Sequence, residues 1–229
     1  MSFAQESMYL GFVLTLLTYL AGVWLKKRFK WAVLNPLLVS SVLLIAGLTA
    51  VHIDYETYDS SAKYISYLLT PSTVCLAIPL YKQLELLKKN LTAVVVAILS
   101  GVVASAFSIF VLSMIFGLNH EQYVSVLPKS ITTAIAMGVT EEAGGIVTIT
   151  VVCILITGIL GNVIGETVFK IAGIRNSIAR GLALGTSAHA IGTAKALELG
   201  EVEGAMSSLS IAVAGLMTVI AVPLVSGLI

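Results

Sequence analysis

The sequence predicts an all-α, polytopic integral membrane protein, and three observations carry the prediction. Its 229 residues are 58% hydrophobic and only 11% charged, with a mean hydropathy of +1.01, whereas soluble domains are roughly 25% charged. Apolar runs of helical length follow one another with short connections. Ten of the thirteen basic residues gather in clusters between those runs, where they set orientation. The chain has room for about seven or eight helical spans of ~20 residues. A net charge of +1 gives no general attraction to nucleic acid, and the composition disfavours a soluble enzyme.

Apolar segments fall at about 8–25, 31–51, 64–81, 91–118, 123–140, 146–169, 178–197 and 204–229. No Pro-rich, Gly/Ser-rich or low-complexity linker separates them, so residues 1–229 read as one membrane domain. The N-terminal MSFAQES has no basic stretch, and the first apolar run ends in KKRFK without a small-residue cleavage motif. It therefore reads as a first span that is kept. Cys75 and Cys153 lie within apolar segments, far from any CxxC spacing, and read as small core residues.

Charge fixes an expected topology. Lys26, Lys27, Arg28 and Lys30 follow the first segment, Lys82, Lys88 and Lys89 the third, and Lys170, Arg175 and Arg180 the sixth. The positive-inside rule puts these three connections in the cytoplasm. The acidic connections 52–60, 119–121 and 198–204 then lie outside. One of the eight segments must fail to cross, and 123–140 is the weakest, because it holds Pro128, Lys129, several hydroxyls and the pair Glu141–Glu142. It is expected as a re-entrant or broken element, with about seven crossings elsewhere, the N-terminus outside and the C-terminus cytoplasmic.

That parity makes two inverted halves, about 8–118 and 121–229, with discontinuous helices in corresponding positions. A shift of 113 residues superposes Thr73 on Thr186, Ala77 on Ala190, Ile78 on Ile191, Lys82 on Lys195 and Glu85 on Glu198. Chance matching of Ala and Ile in two apolar segments is the alternative. Inverted repeats with interrupted helices point to a secondary transporter with its site near mid-membrane.

Three stretches hold polar groups that a lipid-facing helix has no reason to carry. YLLTPSTVCLAIPLYKQ (67–83) has Pro71 and Pro79 in one span, with Ser72 and Thr73 beside the freed backbone. It reads as a broken helix offering N–H groups to an anion, or as a proline-kinked structural helix. LPKSITTAIAMGVTEEAGG (127–145) sets Lys129 beside Ser130, Thr132 and Thr133. A cation among hydroxyls suits a small carboxylate, and a lysine reaching the lipid headgroups is the alternative. Glu141 and Glu142 are candidates for a coupling cation or proton, or cap the element at the water surface. Gly181–Met217 carries Thr186, Ser187, His189 and Thr193. If 184–196 is helical, Gly185, His189 and Gly192 share one face. His189 suits proton coupling or carboxylate binding, or packs as a structural group. Lys195 and Glu198 read as a neutralising pair near the outer surface. No HExxH, GxSxG, P-loop or dinucleotide fingerprint is present, and three scattered histidines do not chelate a metal. No cofactor is expected.

The stretches TPSTVCLAIPLYKQ, LPKSITTAIAMGVTEEAGG and GTSAHAIGTAKALELGEVEGAMSSLSIAVAGLMT occur in this order, and with them the chain resembles the LrgB/CidB family of bacterial membrane proteins over nearly its whole length. Thr70 stands where that resemblance leads one to expect a glycine before the proline. The family is described as antiholin-like or murein-hydrolase-regulating, and its relatives include the membrane portion of a plastidal glycolate/glycerate translocator. The resemblance implies a bacterial inner (plasma) membrane location and two roles. One is transport of small monocarboxylates such as pyruvate or glycolate, with an LrgA/CidA-like membrane partner. The other is control of cell lysis and murein hydrolase export through a holin-like partner. The residues favour the first. The expected site gathers Pro71, Ser72, Thr73, Lys129, Ser130, Thr132, Thr133, Thr186, Ser187, His189 and Thr193, with Glu141 or His189 carrying the coupling proton. A homodimer is a further expected partner arrangement.

Overall fold

The computed structural model describes residues 9–29, 34–68, 71, 74–75 and 77–229, and it divides into two compact units, 1–75 and 76–229. In the first unit α1 (Leu10–Phe29) packs against α2 (Pro36–Ala50) and α3 (Tyr55–Ser66). Pro36 opens α2 behind the N-cap Asn35, whose side chain accepts from the Leu37 N–H at 2.8 Å. A side chain on Gly22 would meet the Pro36 backbone, so glycine lets the two helices close. Hydroxyls tie α1 to its neighbours. Thr18 Oγ1 lies 2.9 Å from Ser40 Oγ, Thr15 Oγ1 lies 2.8 Å from the Tyr58 hydroxyl, and Ser61 Oγ accepts from the Gly11 N–H at 2.8 Å. The connection expected at 52–60 is thus mostly helix, part of α3, whose Tyr58 and Ser61 are held on α1.

The second unit holds two short helices, α4 (Ala77–Lys82) and α5 (Leu84–Lys89), and three long ones, α6 (Leu91–Phe116), α9 (Val147–Ile171) and α11 (Glu201–Val225, continued by a 3-10 turn, Ser226–Leu228). Between the long helices lie α7 (His120–Val126), α8 (Thr133–Glu142) and α10 (Ser177–Leu199). Among the described residues, four helices are long and apolar enough to cross a bilayer: α1, α6, α9 and α11 with its 3-10 extension.

α7, α8 and the turn 127–132 form a helical hairpin. Asn119 and Gln122 make a capping box at its start, and Pro128 removes a backbone donor where α7 stops. α8 ends at Gly144, whose φ of +76 lets the Gly145 N–H reach back to the Thr140 carbonyl at 2.8 Å. The two arms are level where both bind Thr150 of α9, Thr150 Oγ1 donating to the Ser125 carbonyl at 2.8 Å and lying 2.9 Å from Thr140 Oγ1.

α10 is also a hairpin. Its backbone leaves helical geometry at Ala188 (φ −133°, ψ 17°) and His189 (φ 41°, ψ −135°). A Cβ on Gly192 would overlap the Leu184 carbonyl oxygen, although eight residues of straight helix advance about 12 Å. α9 serves as a ruler for the reversal. Going out, Leu184 faces Gly165, Ala188 faces Gly161, and His189 faces Gly158. Coming back, Asn162 Nδ2 donates to the Ile191 carbonyl at 3.0 Å, and Lys195 Nζ pairs with Glu166 Oε2 at 3.2 Å.

This overturns the expectation that 178–197 crosses from side to side, and with it the continuous face of Gly185, His189 and Gly192. Nothing in the Ala188–His189–Ala190 run marks the break, because it holds neither proline nor glycine. The acidic stretch 198–204 therefore lies at the same end as the basic run 170–180, not opposite it. Lys195 is tied into that end by Glu166, which also pairs with Lys170 at 3.0 Å, and by Glu198 at 3.4 Å.

The hairpins enter from opposite ends of the long helices. Along α11, Gly181 meets Glu203 and Gly185 meets Ser207, whereas Gly215 meets Ile135 and the Val225 carbonyl accepts from the Tyr123 hydroxyl at 3.0 Å. Along α6, Val94 and Ile98 cluster with Leu182 and Met206, while Ile109 clusters with Tyr123. The tips meet midway along all three helices, beside Gly101–Ser105 of α6 and Ile154–Gly158 of α9.

Candidate functional site

A cavity of about 840 Å³ opens from the meeting point of the tips towards the 169–179 end of the unit. Lys129 and Ser130 of the first tip line it, as do Thr186 and Ser187 at the end of the outgoing arm of α10. Lys129 Nζ donates to Ser130 Oγ at 3.0 Å, and Ser130 Oγ lies 3.4 Å from Ser105 Oγ of α6. No carboxylate pairs with Lys129 among the described residues. The Thr186 hydroxyl is buried with no hydrogen-bond partner there, so the cavity wall holds an unused donor and acceptor. α8 starts at this tip, and its N-cap Thr132 makes no side-chain cap. The arrangement can bind an anion by charge and hydroxyls.

The sequence-predicted residues divide clearly. Lys129, Ser130, Thr186 and Ser187 come together in the cavity. Thr132 and Thr133 stand at the α8 start without lining it. Thr193 lies on the far side of α10, donating to the His189 carbonyl at 3.0 Å and lying 2.7 Å from Ser207 Oγ of α11. Glu141 is exposed near the outer end of α8, away from the tip, and its expected coupling role finds no support in its position. Pro71 is exposed in the first unit, and Ser72, Thr73 and Thr70 lie outside the described residues.

His189 does not line the cavity. It is buried, and its Nε2 lies 3.0 Å from the Ile154 carbonyl of α9. A carbonyl only accepts, so the proton sits on Nε2. The ring pins the tip of the second hairpin to α9, while its own backbone holds a left-handed φ that costs a non-glycine residue ~1–3 kcal/mol. Two variants separate these effects. His189→Ala is expected to lose about 1–3 kcal/mol with the buried hydrogen bond, and His189→Gly to recover part of that loss by relieving the backbone. Thermal unfolding of both proteins in detergent checks the order. Equal midpoints would remove the backbone part of the account.

Sequence reasoning missed the groups that the long helices contribute. Gly101, Ser105 and Ser108 of α6, and Thr157 and Gly161 of α9, line the cavity. Their signal was legible: small and hydroxyl residues recur at helical spacing on one face of otherwise bulky apolar runs. Gly101 makes room for Thr186, whose Cγ2 would sit 2.7 Å from an added Cβ.

Long apolar helices threaded by two opposed hairpins define a multi-pass helical membrane protein. The chain belongs to the LrgB-like family, whose model matches residues 15–228. It is 40% identical over 198 residues to YxaC of Bacillus subtilis (strain 168), named an uncharacterized protein, covering 86% of both chains. It is 38% identical over 217 residues, 94% of both chains, to the antiholin-like protein LrgB of Bacillus cereus (strain B4264). Identity to the holin-like protein CidB of Staphylococcus epidermidis (strain ATCC 12228 / FDA PCI 1200) is 36% over 211 residues, 92% of both chains. No solved structure matches the chain.

Proposed function

We propose that this protein carries small monocarboxylates, pyruvate or glycolate in kind, across the cell membrane by alternating access. The observation that carries this reading is the meeting of two opposed hairpin tips at Lys129, Ser130 and Thr186. Re-entrant backbone survives at membrane depth where it is enclosed by protein or lines a cavity, and discontinuous helices at mid-membrane characterise secondary transporters. The carboxylate sits on Lys129, with Ser130 and Thr186 bonding its oxygens. Each hairpin covers one approach to that point, so moving them in turn exposes it to either side.

The inverted repeat is better drawn as 120–171 and 177–225, each a hairpin followed by a long helix, than as halves of the whole chain. Lys82, Lys88, Lys89, Lys170, Arg175 and Arg180 share the end at which α10 turns in. The positive-inside rule makes that end cytoplasmic, and α11 then carries the C-terminus outward rather than leaving it in the cytoplasm. Lys26–Arg28 on the cytoplasmic side keeps the N-terminus outside. Single cysteines at Ser177 and Glu201 should both be labelled only from the cytoplasm, and one at His120 only from outside. Opposite labelling of Ser177 and Glu201 would restore a full crossing between them.

A second reading, control of cell lysis and murein hydrolase export through a holin-like partner, is favoured by the names of the relatives, which support it more directly than transport. Uptake of labelled pyruvate and glycolate into reconstituted vesicles, with and without an LrgA-like partner, discriminates between the two. Uptake that depends on this chain supports transport. No uptake in either case, with lysis phenotypes that follow the partner alone, supports lysis control.

A further inference from the structure

The cavity is far larger than a two- or three-carbon acid and is chemically divided along its length. Pyruvate has about six non-hydrogen atoms; at roughly 30 Å³ each, the volume of a water molecule in the liquid, it fills about a fifth of 840 Å³. The polar groups cluster at and beside the tips: Lys129 and Ser130, Thr186 and Ser187, Ser105 and Ser108 of α6, and Thr157 of α9. From there towards the other end the α9 wall is Leu160, Ile164, Val168 and Phe169. Leu182 and Ala179 of the outgoing α10 arm face the same space, and Gly161 and Gly165 keep it open. No lining residue beyond the tip region carries a polar side chain. Such a cavity has one place for a negative head and a long apolar run for whatever follows it.

We propose that the cavity takes monocarboxylates bearing an aliphatic chain of several carbons and binds them more tightly than two- or three-carbon acids. The head occupies Lys129 and Ser130, and the chain lies along α9 towards Phe169. Thr186, buried without a partner, supplies the second hydroxyl to the head. This inference rests on the carboxylate site proposed above and adds the chain-length preference. Removing a methylene from water contributes at most ~0.8 kcal/mol, so affinity should rise by roughly twofold to fourfold per carbon until the apolar run is filled.

The test uses the full chain in zwitterionic nanodiscs, with empty nanodiscs subtracted for partition into lipid. Equilibrium dialysis measures binding of labelled acetate, pyruvate, butyrate, hexanoate and octanoate, with octan-1-ol as the uncharged chain. The expected result is octanoate at least tenfold tighter than butyrate, octan-1-ol far weaker, and Lys129→Met losing the acids. Ile164→Asn, a change at a half-exposed wall position, should lower the ratio of octanoate to acetate affinity. Flat affinity from acetate to octanoate overturns the chain-length inference and leaves the carboxylate site standing. Octanoate and octan-1-ol binding equally, unaffected by Lys129→Met, overturns both, as does no binding of any acid.

Discussion

Replacing Lys129 with methionine should lower carboxylate affinity by 30-fold or more while leaving the protein as stable as before. Truncating one partner of a desolvated charge pair costs ~2–5 kcal/mol, which sets the size of the loss. The stability expectation follows from what surrounds the side chain. Lys129 is half-buried, its one hydrogen bond goes to Ser130, and no described carboxylate would be stranded by removing it. A charge held there is a desolvation cost to the empty protein, and methionine keeps the stem's packing without it. Pyruvate uptake and the thermal midpoint, measured on the same preparation, check both halves. A methionine variant that transports normally would show that the anion sits elsewhere, and one that fails to fold would make Lys129 structural.

Gly192→Val should abolish the folded protein, whereas Gly138→Ala should be neutral or stabilising. A side chain at 192 overlaps the Leu184 carbonyl and the Ala188 Cβ, both parts of the opposing arm, while nothing lies within 4 Å of a Cβ at 138 in α8. Overpacking of a yielding core costs ~1–3 kcal/mol. Here the obstacle is backbone, and the hairpin cannot close without moving an arm. In a straight helix the 192 side chain would not reach Leu184, so the pair of variants also tests the reversal. Expression, monodispersity and thermal unfolding are the measurements. A stable Gly192→Val protein would remove the hairpin.

How much of this was legible in the sequence depended on whether a residue violated its surroundings. Lys129, Ser130 and Thr186 were visible because polar groups in hydrocarbon need a reason, and the turn at 127–132 because proline and hydroxyls interrupt an apolar run. The boundaries of α6, α9 and α11 followed from hydropathy and charge. The reversal at His189 was not visible, because apolar residues on either side continue at helical spacing and a histidine takes the positive φ that glycine usually signals. One error propagated: counting 178–197 as a crossing placed 198–204 opposite the basic run 170–180, whereas the two share one end. The helix at 55–66 was hidden for a different reason, since its polar composition resembles a loop and its stability comes from hydroxyl contacts with α1. The three motif stretches were enough to point to the LrgB-like family, to which residues 15–228 belong.

The solitary charge of Lys129 also has an electrical consequence. A site of one cation and one bound monoanion is neutral, so the transmembrane voltage does little work on it when loaded. Empty, it presents a positive charge to a field worth about 2.3 kcal/mol per elementary charge per 100 mV across the full membrane. If the chain carries monocarboxylates as proposed, in an energised cell, negative inside, that field would set the resting orientation of the unoccupied protein towards the cytoplasm and make its return step the voltage-sensitive one.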